Sequence, residues 1–186
     1  MSLNEYLFFV MHNLASRSPF FDSIIIFFAE YAQYIVILGV IGFLLVHRDT
    51  IESHTPFEIV YVRAMEILSF FTSAFVALFS VKILKIVFSF PRPYLLYSTA
   101  TPLFSAGLLD SFPSGHATFF SALATTMTMY HRRAGIFLWI ISFCIILSRI
   151  IAGVHTPVDC IAGVILGSVI AYFFTLTFSR NRLPKH

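Results

Sequence analysis

Long apolar segments constrain the fold of this chain more than any other feature of its sequence. A helix needs about 20 apolar residues to cross the hydrocarbon core of a bilayer. Five segments approach or exceed that length, at approximately 24–46, 64–88, 116–131, 134–152 and 157–178. Spanning segments must pair their own backbone polar groups, which a helix does. The sequence therefore predicts an all-α, polytopic membrane helix bundle of five or six spans.

The composition of the chain supports a membrane environment. Hydrophobic residues make up 58% of the sequence and charged residues only 11%, whereas a soluble domain carries about 25% charged residues. So little polar surface could not cover a globule in water. The length of 186 residues favours one domain, and no internal repeat or low-complexity tract divides it. We predict a single integral-membrane domain over residues 1–186.

The N-terminal stretch, about 3–16, differs from the five long segments. Its apolar residues recur at helical spacing, with polar residues opposite them: Leu3, Tyr6, Leu7, Val10 and Leu14. This pattern predicts an amphipathic helix in the membrane interface, although a sixth span stays possible. The stretch lacks the basic start of a cleavable signal peptide.

The net charge of +3 could indicate a nucleic-acid partner, but the basic residues form no stripe with interleaved aromatic residues. They lie at the ends of the apolar segments instead, so no nucleic-acid binding is predicted. With five spans, seven basic residues outside the clusters described next share one side: Arg48, Arg63, Arg132, Arg133, Arg180, Arg182 and Lys185. This side is predicted to be cytoplasmic, so loop 89–115 and turn 149–157 face outward.

Three polar clusters lie at the outward ends of the predicted helices. They are Lys85 followed after six residues by Arg92-Pro93, then Pro113-Ser114-Gly115-His116, then Ser148-Arg149 followed after five residues by His155 and after three more by Asp159. Lys85, Arg92 and Arg149 alone would each be an ordinary anchor or loop residue. Together they place three cations at one membrane face, where a phosphate ester is a natural counter-ion.

The second and third clusters both begin helices. Ser114 is a good N-cap, and the N–H groups of the first helical turn favour an anion there. Gly115 permits close backbone approach, and His116 lies in that first turn. In the third cluster Asp159 is either a capping carboxylate or a hydrogen-bond partner that orients His155. Both interpretations can hold at once.

The three clusters resemble the signature of the type-2 phosphatidic acid phosphatase family: K-x6-RP, PSGH and SR-x5-H-x3-D. All eleven defined positions match in order. The resemblance implies a metal-independent lipid phosphatase that uses no cofactor and forms a phosphohistidine. It implies that His155 is the nucleophile, that Asp159 orients it, and that His116 is general acid and then base. The residues implied to hold the phosphoryl oxygens are Lys85, Arg92, Ser114, Gly115 and Arg149.

The N-terminal region is similar to the bacitracin-resistance branch of undecaprenyl-diphosphatases, through Ser18-Pro19-Phe20-Phe21-Asp22 and Ala29-Glu30-Tyr31. This chain has Gly115 where that branch often has Asp. The resemblance implies undecaprenyl diphosphate as substrate and a bacterial inner-membrane protein with its active site facing the periplasm or cell exterior. A phosphatase for phosphatidylglycerol phosphate, phosphatidate or lipid A 1-phosphate stays open, as does an anion transporter. The expected partners are a lipid phosphate or diphosphate and membrane lipids, and the oligomeric state is left open.

Overall fold

A computed structural model describes the backbone of residues 1–46 and 56–180, and every regular element in these ranges is helical. The helices are α1 (Leu3–His12), α2 (Pro19–Ile26), α3 (Ala32–Val46), α4 (Pro56–Phe88), α5 (Pro93–Leu96), α6 (Gly115–Tyr130), α7 (Arg132–Ile151) and α8 (Pro157–Arg180). A π-helical turn, Phe27–Tyr31, joins α2 to α3 without a break. The predicted all-α bundle is thereby confirmed.

Four of the described helical stretches are long and apolar enough to cross a membrane: Pro19–Val46, Ile67–Leu96, Arg132–Ile151 and Pro157–Thr177. The third predicted segment forms α6, whose 16 residues span about 24 Å. Because α6 packs against α4, α7 and α8, protein rather than lipid surrounds much of it. Such a position explains why α6 can bury Thr118, Ser121 and Thr126.

The residues used to orient the chain are only partly within the described structure. Arg132 and Arg133 begin α7, at the opposite end of that helix from Arg149. Arg48, Arg182 and Lys185 lie outside the described residues, and nothing is described for the side chains of Arg63 and Arg180.

Close packing of α8 on α6 depends on two glycines one helical turn apart. A Cβ at Gly163 would lie 2.7 Å from the carbonyl oxygen of Ser114, and one at Gly167 would collide with the carbonyl oxygen of Thr118. Small residues at this spacing let membrane helices approach closely. The contact holds the beginning of α8 beside the beginning of α6, where two of the three polar clusters lie.

Replacing Gly167 with alanine should therefore destabilise the protein, because the added methyl group forces α8 away from α6. We expect a cost of about 1–3 kcal/mol, as for other overpacked cores. Gly39→Ala in α3 is the matched control, since a Cβ there meets nothing within 4 Å. Thermal unfolding of both variants in detergent measures the difference. Equal midpoints for the two variants would contradict the packing argument.

Helix α1 packs on the bundle through the face that carries Phe8 and His12. Phe8 and His12 are buried, whereas Leu3, Tyr6 and Val10 are exposed. The exposed face was predicted correctly as apolar, but the packed face contains a histidine for a structural reason. His12 Nδ1 lies 2.9 Å from the carbonyl oxygen of Ile151, at the end of α7. Helix α1 thus supports the turn that leads from α7 to α8.

That turn contains Gly153 in the left-handed conformation, with φ at +79°. A Cβ at this position would also lie only 2.8 Å from His12 Cε1. Glycine meets both requirements because it has no Cβ. The turn can therefore reverse tightly beneath α1 and carry His155 into the bundle.

Candidate functional site

The three polar clusters converge at one end of the bundle. There α4 and α7 end, and α5, α6 and α8 begin. Two cross-links join them: Arg92 Nη1 donates to the carbonyl oxygen of Val154 at 3.1 Å, and the Ser114 N–H donates to that of Asp159 at 3.0 Å. The predicted site residues, which are 74 positions apart at the extremes of Lys85 and Asp159, thus form one group.

Arg149 and Arg92 are the two deeply buried cations of the site. Arg149 is only 5% exposed. Its guanidinium carbon lies 5.0 Å from the centre of the Phe104 ring. Nη1 donates to the carbonyl oxygen of Ala29 at 2.9 Å, but Nε is buried without a hydrogen-bond partner. An unpaired buried donor is costly. An anion bound beside Arg149 would provide the missing acceptor.

Lys85 and Arg92 share a carboxylate that the sequence analysis did not identify. Arg92 Nε donates to Asp110 Oδ1 at 2.8 Å, and Lys85 Nζ donates to the Asp110 carbonyl oxygen at 2.6 Å while lying 3.6 Å from Oδ2. The hydrogen bond from Arg92 lowers the pKa of Asp110, so this carboxylate is ionised at neutral pH. Asp110 therefore fixes the positions of both cations.

The beginning of α6 has the predicted cap. Ser114 is fully buried, and its Oγ accepts a long hydrogen bond of 3.5 Å from the Ala117 N–H. A Cβ on Gly115 would meet only Leu78, at 3.9 Å. The site thus has room for a Cβ at position 115.

His155 is 1% exposed, and this burial lowers its pKa to about 4. The imidazole is consequently neutral at pH 7, as a nitrogen nucleophile must be. Its Nδ1 lies 3.8 Å from Asp159 Oδ2, which is an ion-pair distance and too long for a hydrogen bond. Since Nδ1 faces Asp159, Nε2 is the ring nitrogen that does not face that carboxylate.

Asp159 instead makes its short contacts elsewhere. Oδ2 accepts from the Thr156 N–H at 2.7 Å and from Ser111 Oγ at 2.7 Å, while the Asp159 N–H donates to Thr156 Oγ1 at 3.3 Å. The capping interpretation is therefore seen directly. An orienting role toward His155 stays a prediction that requires a small closing movement, which is common when a catalytic site binds its ligand.

His116, the proposed acid and base, has a partner that sequence analysis missed. Its Nε2 lies 3.0 Å from Oε1 of Gln33, a residue of α3 that belongs to none of the three clusters. Ser111, the donor to Asp159, was missed too. Position alone could have drawn attention to Asp110 and Ser111, because they precede the second cluster directly, but nothing local marks Gln33. Ser148 donates to the carbonyl oxygen of Ile145 within α7.

Comparison with known protein families identifies the family to which this chain belongs. The model of the PAP2 superfamily matches residues 66–183, which include all three clusters. The chain belongs to the PAP2 superfamily. Two curated relatives extend the similarity toward the N-terminus, beyond the part that the family model matches.

The first relative is the bacitracin transport permease protein BcrC of Bacillus licheniformis, 26% identical over 172 residues, which are 92% of this chain and 78% of the relative. The second is the undecaprenyl-diphosphatase BcrC of Bacillus subtilis strain 168, 25% identical over 172 residues, with 92% and 82% covered.

Solved structures of this superfamily share the fold. The crystal structure of Aquifex aeolicus LpxE is 25% identical, with a TM-score of 0.74 over 94% of this chain and 95% of that one. A PAP2-type phosphatidylglycerolphosphate phosphatase from Bacillus subtilis is 18% identical, with a TM-score of 0.63 over 98% and 87%, and it supports the fold alone. This PAP2 protein is accordingly a multi-pass membrane protein and a phosphoric ester hydrolase of the lipid-phosphatase class.

Proposed function

We propose that this PAP2 protein removes the terminal phosphate of undecaprenyl diphosphate through a phosphohistidine at His155. One observation carries the proposal: a buried, neutral His155 shares a site with Arg149, whose buried Nε has no acceptor. The unpaired Arg149 Nε can thus bind an anion, and the neutral His155 imidazole in the same site can act as a nucleophile. Similarity to the undecaprenyl-diphosphatase BcrC supports the choice of lipid.

In the first step, His155 Nε2 attacks the terminal phosphorus. The bond from that phosphorus to the bridging oxygen breaks, and undecaprenyl phosphate leaves. His116 donates a proton to the departing oxygen. Lys85, Arg92 and Arg149 hold the phosphoryl oxygens together with the first N–H groups of α6 at Ser114 and Gly115, since electrostatics and positioning dominate phosphoryl transfer.

In the second step, His116 removes a proton from water, and the resulting oxygen attacks the phosphorus. The bond between His155 and phosphorus breaks, inorganic phosphate is released, and both histidines return to their starting protonation states. In this scheme protein cations balance the phosphate charge. No group of three His, Cys, Asp or Glu side chains with metal-site geometry occurs among the described residues, and the proposal requires full activity in EDTA.

The test is phosphate release by purified protein in EDTA from undecaprenyl diphosphate, phosphatidylglycerol phosphate, phosphatidate and lipid A 1-phosphate in parallel. The proposal expects the highest kcat/KM for undecaprenyl diphosphate. If another of these lipids is preferred, the proposed chemistry stands and that lipid is the substrate. That second candidate has its own support, because the chain is similar to Aquifex aeolicus LpxE, at 25% identity and a TM-score of 0.74.

A transport function is the alternative of a different class, and the name of the Bacillus licheniformis relative mentions transport. The three cations lie at one end of the bundle, whereas a transport site is expected near the membrane midplane. Purified protein in liposomes should therefore release phosphate without moving anionic solutes across the bilayer. Solute movement without phosphate release would replace the enzyme proposal.

We also propose that the site faces the periplasm or cell exterior of a bacterial inner membrane, following the distribution of basic residues. An impermeant maleimide should then label Ser105→Cys in intact cells. It should not label Arg133→Cys until the membrane is permeabilised. Both positions are exposed, the first in the loop beside the site and the second near the beginning of α7. The reverse pattern would invert the topology.

A further inference from the structure

Gln33 connects the N-terminal span to the catalytic end of α6. Its side chain makes two hydrogen bonds: Nε2 donates to the carbonyl oxygen of Glu30 at 2.8 Å, and Oε1 lies 3.0 Å from His116 Nε2. Gln33 itself is partly buried. The residue thus joins the backbone of the span to the histidine proposed as acid and base.

These two bonds determine which nitrogen of His116 carries a proton. The Glu30 carbonyl can only accept, so the amide NH₂ of Gln33 must face it, and Oε1 must face the imidazole. Oε1 can also only accept. His116 Nε2 must therefore be the donor, in the neutral ring as well as in the cation. The nitrogen that gains and loses a proton is then Nδ1.

The position of Gln33 depends on the π-helical turn Phe27–Tyr31 immediately before α3. Such turns are rare and occur frequently at functional sites. This one turns the carbonyl oxygen of Ala29 to Arg149 Nη1, at 2.9 Å, and leaves that of Glu30 available to Gln33. One irregular turn therefore serves two site residues, Arg149 and His116, although it lies far from the clusters in sequence.

We propose that Gln33 is a positioning residue for His116: it keeps Nε2 protonated, so that the catalytic proton is exchanged at Nδ1. The proposal rests on the acid and base role of His116 under the proposed function. It resembles the carboxylate of a catalytic triad, which fixes the tautomer of a histidine without itself reacting.

The tautomer is measured directly by ¹⁵N NMR of histidine-labelled protein, with His116→Gln used to assign the signal. We expect the Nε2–H tautomer in the wild type and in the control Tyr34→Phe, which alters an exposed neighbour on α3. Gln33→Leu should give a mixture of tautomers. An Nδ1–H tautomer in the wild type would overturn the proposal, and this readout does not depend on any enzymatic activity.

Kinetics provide a second readout that a merely structural role would not move. Phosphatidate releases an alkoxide, which needs a proton far more than the phosphate leaving group of undecaprenyl diphosphate does. Gln33→Leu should thus lower kcat about tenfold for phosphatidate and less for the diphosphate. An equal loss for both substrates, or no loss for either, would count against the positioning role.

Gln33→Glu keeps the acceptor for His116 Nε2 but loses the donor to the Glu30 carbonyl oxygen, so it should retain more of the rate than Gln33→Leu does. Its added negative charge stabilises protonated His116, so the basic limb of the pH–kcat/KM profile should move to higher pH. The charged or titratable groups around His116 are Lys85, Arg92, Arg149 and His155. They are the same in the wild type and in Gln33→Glu. No shift of the limb would contradict the proposal. If no lipid is hydrolysed at all, the proposed function fails, while the NMR result still decides the tautomer.

Discussion

His155→Ala is expected to abolish phosphate release while the protein stays folded. The variant lacks the nitrogen that attacks phosphorus, and loss of a nucleophile lowers turnover by a factor on the order of 10⁴ or more. The fold should persist because Nδ1 of His155 makes no hydrogen bond that the substitution would remove. Phosphate release and the thermal unfolding midpoint, measured on the same preparation, separate loss of chemistry from loss of structure.

His131→Ala provides the matched control. His131 precedes α7 at the other end of the bundle, where its ring contacts Phe43 edge-on. Turnover of this variant should stay close to that of the wild type. Near-normal activity in His155→Ala would refute the nucleophile assignment, and equal losses in both variants would mean that histidine replacement acts through stability.

Arg149→Lys is expected to lower kcat/KM by about 10²–10³-fold, the usual cost of removing one preorganised donor from a charge-stabilising site. Lysine keeps the positive charge but has no planar fork, so it cannot present donors to the Ala29 carbonyl and a phosphoryl oxygen in the same fixed geometry. The unpaired Nε of Arg149 is the atom whose loss should matter most. Steady-state kinetics on the preferred lipid provide the measurement.

The control for this change is Arg133→Lys, the same substitution at an exposed position on α7. It should leave kcat/KM unchanged. If Arg149→Lys also retained full efficiency, charge alone would suffice at position 149, and the proposed contact between Nε and the phosphoryl group would be wrong.

Much of the fold follows from local features of the sequence. The apolar runs predicted the helices, because a backbone in lipid must pair its own polar groups. Ser114 and Asp159 marked the beginnings of α6 and α8, since capping involves residues only three apart. The three clusters could be predicted to meet because they occur at alternate ends of successive helices.

Other features of the site depend on packing that no local pattern records. Gln33 lies 83 positions from His116, and its contact requires α3 to pack on α6 at one particular rotation. Asp110 lies 18 positions from Arg92, in a loop whose path is not encoded by periodicity. The face through which α1 packs is a further example, because His12 reaches the carbonyl oxygen of Ile151, 139 positions away.

The most direct test of the phosphohistidine mechanism is rapid quenching of the reaction with undecaprenyl diphosphate labelled with ³²P in its terminal phosphate. We expect label on the protein within the first turnover, in a linkage that acid breaks and base does not. That label should be absent from His155→Ala and persist in EDTA. Phosphate release by the wild type without any labelled protein, or equal labelling of His155→Ala, would contradict a phosphohistidine at His155.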